Sequence, residues 1–175
     1  MPIFFTLGHG TLQSDAFALT LRAAGVDCAV DVRRFAGSRR NPQFGLPEMP
    51  AWLAAAGITY RALPDLGGRR DPLPDSRNTA LRDRGMRGFA DYMATPAFRT
   101  AFDTLLSLTT ERSVAIFCAE TLWWSCHRKL IADAAVLLAD TTVVHLSSAT
   151  KATHVLTPSA RKEGEIVVYP AATRT

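Results

Sequence analysis

The sequence predicts an α/β fold: a single three-layer domain over residues 1–175, built on a mostly parallel, Rossmann-like sheet of about five strands with helices on both faces. Short β-branched and aromatic runs alternate with stretches of helical period, which is the pattern of β-α-β units. The run 113–118 is apolar enough to be a buried strand and leads straight into a new helix. No internal repeat and no linker marks off a second domain, and 47% hydrophobic and 21% charged residues suit a globular chain with a sizeable core.

The elements follow in order. Residues 3–7 read as a first strand, ending at Gly8-His9-Gly10. Ser14 can cap a helix carrying Ala16, Phe17, Leu19 and Leu21, with Gly25 just past its end. A second strand at 26–32 feeds an arginine-rich loop over 33–45. Pro47 or Pro50 opens a short helix around Trp52 and Leu53 that Gly57 ends. A third strand at 58–63 precedes a long Pro-, Gly-, Asp- and Arg-rich loop over 64–84. Helices at 88–93 and 97–108 come next, with Pro96 starting the second. The strand at 113–118 leads to a helix beginning near Ser125 and carrying Leu130, Ile131, Ala134, Leu137 and Leu138. A fifth strand spans 142–146 and completes a core of 3–146. In the extension 147–175, segments 154–157 and 165–169 are expected to pair as a hairpin.

Composition narrows the function. No apolar run approaches the roughly 20 residues of a membrane helix, and the N-terminus lacks the pattern of a secretory signal. Three cysteines fit poorly with a disulfide framework, so a reducing, cytoplasmic setting is expected. The net charge of +4 is unevenly spread: the stretch 33–87 holds eleven arginines and no lysine against five acids. Arginine's planar donor fork suits phosphate and carboxylate, which points to an anionic small molecule or nucleic acid as partner. Arginine-rich loops also serve simply as solvated surface.

The chemistry gathers at the strand ends. In an open parallel sheet, ligands bind beyond the carboxyl ends of the strands. His9 follows the first strand, Arg33 and Arg34 the second, and Cys118 and Glu120 the fourth. His145 ends the fifth, and Cys126, His127 and Arg128 fall in the first turn of the helix after the fourth. Parallel strands would bring all of these to one edge. A helix start favours a thiolate at Cys126, whereas a cysteine ending a buried strand, as Cys118 does, also serves as a small apolar residue. Arg128 near a helix N-terminus opposes the macrodipole and calls for a partner, Glu120 or an anion. His145 lies in an apolar strand and suits a satisfied core position. One of Trp123 and Trp124 is expected to pack in the core.

Spacing rules out several mechanisms. The sixth residue after Cys118 is Trp124 and after Cys126 is Ala132, so no arginine closes a phosphatase-type loop. Leu66-Gly-Gly-Arg-Arg70 has no Lys-Ser or Lys-Thr and is not a P-loop, and no Gly-x-Gly-x-x-Gly follows the first strand, so a dinucleotide fingerprint is lacking. Cys118, Cys126, His127 and His9 are suitable zinc ligands, but their spacing matches no standard pattern. Neighbours such as Cys126 and His127 would splay about 100° apart on a helix. No metal is therefore expected.

The motifs carry a resemblance. They are Thr6-Leu-Gly-His-Gly10, Asp31-Val-Arg-Arg34 with Ser38-Arg-Arg-Asn-Pro-Gln-Phe44, Gly57-Ile-Thr-Tyr60, and Leu66-Gly-Gly-Arg-Arg70. Further along come Arg87-Gly-Phe-Ala-Asp-Tyr-Met93, Cys118-Ala-Glu120 with Trp124-Ser-Cys-His-Arg128, Leu130-Ile-Ala-Asp133, Val144-His-Leu146, His154-Val-Leu-Thr157 and Tyr169-Pro170. In this order the chain resembles the bacterial and archaeal family called domain of unknown function 488. That resemblance implies an α/β domain, implies no activity, and makes the strand-end residues motif positions. Gly10 stands where the family often has serine, Phe89 where tyrosine is common and Ser125 where arginine is common.

Two functions fit. The favoured one is an enzyme acting on a phosphate-bearing or otherwise anionic substrate, such as a nucleotide or nucleic acid. Arg33, Arg39, Arg40, Arg69, Arg70 and Arg128 would bind the anion, Glu120 with His9 or His127 would move protons, and Cys126 or Cys118 would be a nucleophile or redox thiol. The alternative is a non-catalytic module that binds nucleic acid or an acidic partner through the arginine loop, with the cysteines and histidines structural.

Overall fold

In the computed structural model, which describes residues 1–173, the chain forms a mixed, mostly parallel sheet of six strands. β1 (Ile3–Gly8), β2 (Cys28–Asp31), β3 (Thr59–Ala62), β4 (Val114–Cys118) and β5 (Thr142–Leu146) run parallel, and β6 (Lys151–Thr153) lies antiparallel on β5. Their spatial order is β3-β2-β4-β1-β5-β6. The helices are α1 (Ser14–Ala23), α2 (Glu48–Ala55), α3 (Arg84–Tyr92), α4 (Pro96–Glu111) and α5 (Arg128–Ala139), and a separate hairpin joins β7 (Arg161–Glu163) to β8 (Ile166–Val168).

Alternation along the strands sorts the core into two layers. Val114, Ile116 and Cys118 of β4 face one way, with Phe4, Val30 and Val143, and are covered by α3, α4 and α5 through Phe89, Phe102 and Ile131. Ala115 and Phe117 face the other way, with Leu7 and Ala29, and are covered by α1 and α2 through Phe17, Leu21 and Leu53. The predicted three layers are therefore present. Among the described residues no helix is long and apolar enough to cross a membrane.

The strand order creates the site. β4 lies between β1 and β2, so the α1 connection skips over it. β1 lies between β4 and β5, so the α5 connection skips over β1 on the opposite face. The chain thus leaves β1 toward one face and β4 toward the other, which is the topological switch point where open α/β sheets form their ligand crevice. Gly8 pairs with Cys118 at that point, and the pairing continues beyond the strands through His9 N–H to Cys118 C=O (2.9 Å) and Gly10 N–H to Ala119 C=O (3.0 Å).

Several boundaries differ from expectation, each for a local reason. α3 starts at Arg84 rather than 88, because the Asp83 carboxylate accepts the Met86 N–H at 2.8 Å and caps it. α4 runs on to Glu111, its start capped by Thr95 ahead of Pro96. α5 begins at Arg128 rather than near Ser125, since a 3-10 turn at Trp123–Ser125 and an extended Cys126 precede it. Residues 154–157 are not a strand. The partner of β8 is Arg161–Glu163, joined across Gly164 at φ +61°, and the preceding tail residues extend the main sheet as β6.

Gly8 has no room for a side chain. A Cβ there would land on the Glu120 carbonyl and within 2.8 Å of an Arg128 guanidinium nitrogen. Gly8→Ala is expected to lower stability by about 3 kcal/mol, the upper end of an overpacking cost, as read by urea denaturation. A change below about 0.5 kcal/mol would show that the two strand ends are not locked together as described.

Candidate functional site

β4 delivers Cys118, and the 3-10 turn after it swings the chain back so that Cys126 faces Cys118. Their sulfurs are 2.9 Å apart and buried, at 3% and 2% residue exposure. Cys126 is extended (φ −128°, ψ 153°) and His127 caps α5, so the two are not neighbours on a helix and do not splay apart. His127 Nδ1 lies 3.4 Å from Cys126 Sγ. Its Nε2 donates to the Val32 carbonyl at 3.0 Å, and Nδ1 is the nitrogen turned toward Cys126. The metal-ligating atoms of Cys118, Cys126 and His127 all fall within 4.8 Å of one another. His9 is not part of that group.

Arg128 is buried (1% exposed) directly behind the sulfurs. Its Nε–H donates to Cys118 Sγ at 3.1 Å and its backbone N–H to Cys126 Sγ at 3.5 Å. Its Nη2 donates to the carbonyl of Glu120 at 2.6 Å, not to the Glu120 carboxylate, which is exposed. Burial and the neighbouring Cys126 push the Cys118 thiol up. Burial also disfavours a thiolate at Cys126, but the Cys118 hydrogen bond, His127 and Arg128 outweigh it and bring Cys126 well below the usual thiol range.

Behind Arg128 runs a buried hydrogen-bonded chain. Asp133 only accepts, so His154 donates to it from Nε2 at 2.9 Å. His154 Nδ1 lies 2.9 Å from His145 Nε2, His145 Nδ1 lies 2.7 Å from the Thr6 hydroxyl, and the Thr6 oxygen receives Arg128 Nη1–H (3.1 Å). Thr157 (backbone N–H and hydroxyl) and Tyr169 O–H complete the shell of Asp133. Trp123 stacks on His145 with ring centroids 3.9 Å apart, while Trp124 is 54% exposed.

A cleft of about 380 Å³ opens over the sulfurs. Its walls include His9, Arg33, Arg34, Arg69, Asp83, Glu120, Cys118, Cys126 and His127, which brings the strand-end residues together. His9 is buried and stacked on Phe44 (4.2 Å); it donates from Nδ1 to the Gly10 carbonyl, and burial lowers its pKa. The arginines divide. Arg33 is bound bidentately to Asp31 (2.8 and 2.7 Å), which also accepts from Tyr60 O–H, and donates to the Phe44 carbonyl. Arg34 and Arg69 are exposed at the rim. Arg34 donates to the Arg69 carbonyl at 2.9 Å, and Arg69 holds a left-handed φ of +59°, uncommon for a residue with a side chain. Arg39 and Arg40 are exposed but do not line the cleft, and Arg70 is stacked on Tyr92 at 3.7 Å.

Sequence reasoning named neither Asp31 and Tyr60 nor Thr6, Asp133, His154, Thr157 and Tyr169 as site residues. One signal was available: Asp133 is a lone acid amid Ile131, Ala132, Ala134 and Ala135 of α5, a position that must be buried and paired.

Burial, then the neighbouring His154 and Arg128, lower His145 from its ordinary 6.5 to about 3. The folded state thus refuses a proton that the unfolded chain binds, so stability falls on acidification from about 6.5 toward 3, by about 1.4 kcal/mol per pH unit. His145→Gln is expected to remove that part of the slope while costing stability at neutral pH. Urea denaturation across pH measures both, and equal slopes in the two proteins would refute the assignment.

Comparison with known proteins returned one family. The family model described as "Domain of unknown function DUF488" matches residues 13–135. No curated protein and no solved structure matches the chain. The matched segment covers well over half of the sequence and includes β4, both clustered cysteines, His127, Arg128 and Asp133; the chain therefore belongs to the family of the domain of unknown function DUF488.

Proposed function

We propose that the cleft is the active site of an enzyme acting on an anionic, phosphate-bearing substrate of about nucleotide size. The observation that carries this reading is the shared cavity: two sulfurs and an oriented imidazole form its floor while the exposed guanidinium groups of Arg34 and Arg69 stand at its rim. Its volume of about 380 Å³ suits a small ligand rather than a folded partner. In this reading Arg34 and Arg69 receive the charge, and Glu120 and His9 are placed to exchange protons across the opening. The Cys118–Cys126–His127 cluster supplies the electron-rich group against which the substrate reacts. Arg33 in the wall and Arg128 behind the sulfurs brace the cleft, since their guanidinium donors are taken by Asp31 and by Cys118, Thr6 and the Glu120 carbonyl.

A second reading, a binding module for nucleic acid, draws on Arg39 and Arg40. Both are exposed outside the cleft, and neither makes a hydrogen bond or ion pair with the described residues.

Titrating nucleoside mono- and diphosphates and a single-stranded oligonucleotide at two salt concentrations separates the two. An active-site cleft predicts that Arg34→Glu and Arg69→Glu each weaken nucleotide binding about tenfold or more, as expected for lost charge-assisted hydrogen bonds. Arg39→Glu and Arg40→Glu would leave it unchanged. Binding of the oligonucleotide alone, steeply salt-dependent and lost with Arg39→Glu and Arg40→Glu, would replace the enzyme with the binding module.

A further inference from the structure

We propose that Cys118, Cys126 and His127 form a three-ligand site for a soft divalent metal ion of the zinc class, with the fourth coordination position open to the cleft. The inference rests on the reading of the cleft as an active site and names the group that the cluster presents there.

Convergence is the first support. The three side chains come from the end of β4, an extended residue and the cap of α5, yet their ligand atoms lie within 4.8 Å of one another. Ligands bound tetrahedrally at about 2.0–2.3 Å stand roughly 3.5–3.8 Å apart. The Cys126–His127 separation of 3.4 Å already meets this, and the 2.9 Å sulfur pair needs to open by less than about 1 Å. Two thiolates and one imidazole are a donor set that soft and borderline ions prefer.

The surroundings are those of metal ligands. His127 is oriented from behind by the Val32 carbonyl on Nε2, which leaves Nδ1 free for an ion. A ligating histidine is commonly held through its other nitrogen in this way. Each sulfur receives an N–H from Arg128, one from the guanidinium and one from the backbone. Such donors stabilise thiolate ligands. The charges close as well: a divalent ion balances two thiolates, while Arg128 is linked through Thr6, His145 and His154 to Asp133.

Gly68 leaves room for the His127 ring. A Cβ at this position would lie 3.0 Å from Nδ1 and 3.1 Å from Cγ, close enough to displace the ring that presents Nδ1. Both sulfurs and His127 line the cleft, which gives an ion an entry path. Three protein ligands and an open fourth position are the arrangement of catalytic rather than structural zinc. On binding, the ion displaces the thiol protons of Cys118 and Cys126, which pass to solvent. The open position then faces Arg34 and Arg69 and accepts a water or an oxygen of the anionic substrate.

The test uses the full chain, stripped with chelator and titrated with cobalt(II). One equivalent should give thiolate-to-cobalt charge-transfer and tetrahedral d–d absorption, displaced by zinc. Cys126→Ser and His127→Gln should abolish the spectrum, Cys28→Ser at the opposite end of the sheet should preserve it, and Gly68→Ala should weaken cobalt binding about tenfold or more. Because cluster variants also risk misfolding, the unaltered protein supplies a second readout: zinc should protect Cys126 from iodoacetamide. A folded protein that gives no cobalt spectrum and whose alkylation ignores zinc overturns the site. If the metal is absent but Arg34→Glu and Arg69→Glu still lose anion affinity, the metal site falls and the active-site reading stands. If cobalt binds but those variants keep full anion affinity, the active-site reading falls and the metal site stands.

Discussion

A permanently charged guanidinium sits in the interior of this protein, and most of the site follows from the need to satisfy it. Arg128 cannot shed its proton, so every donor must find an acceptor. The Cys118 sulfur, a threonine hydroxyl and the carbonyls of Glu120 and Thr121 do this directly. The opposite charge is supplied at a distance, by Asp133 one turn and a little further along the same helix. The link between them is not a direct ion pair but three polar side chains on two strands and the tail. Dispersing the contact through Thr6, His145 and His154 fixes the positions of all three and prevents the guanidinium from collapsing onto a carboxylate, which leaves its Nε–H pointed at Cys118.

That arrangement only works because of the strand order. Thr6 and His145 are register partners on neighbouring strands, and Gly8 and Cys118 are partners on the other side of β1. The central strand therefore carries, two residues apart, the hydroxyl that relays charge and the glycine that lets the Glu120 carbonyl approach. The opposite wall of the cleft is a second buried pair, Arg33 with Asp31, braced by Tyr60 from the next strand and by His9 stacked on Phe44. Two arginines thus serve as masonry while two others, Arg34 and Arg69, remain at the mouth.

The fold class and the edge of the sheet that bears the site were readable because they depend on periodicity and on a rule of topology. Once 3–7 and 113–118 are parallel strands, His9, Cys118, Glu120 and the Cys126–His127 pair must gather. What sequence could not show was which way each arginine faces. Arg33, Arg70 and Arg128 look like Arg34 and Arg69 in the chain, but burial depends on whether a carboxylate, a tyrosine ring or a thiol waits opposite, and only Asp31, two residues before Arg33, is a sequence neighbour. The expected splay between Cys126 and His127 assumed a helix already begun, whereas α5 starts only at Arg128 and leaves Cys126 free to turn toward Cys118. The misplaced hairpin has a similar origin. Residues 154–157 look strand-like because β-branched and apolar side chains dominate the run, but His154 and Thr157 are directed inward to Asp133.

The tail's role bears on what counts as the folding unit. The family match ends at residue 135, two positions after Asp133, and begins after Thr6, Gly8 and His9. Yet the partners of Asp133 are His154, Thr157 and Tyr169, and the strand that separates β4 from β5 is β1. A fragment trimmed to the matched segment would keep the buried cation and anion but lose everything that joins them. The boundaries within which sequence likeness is detectable are therefore narrower than those within which the charges balance, and the segments on either side belong to the interior as much as the matched one does.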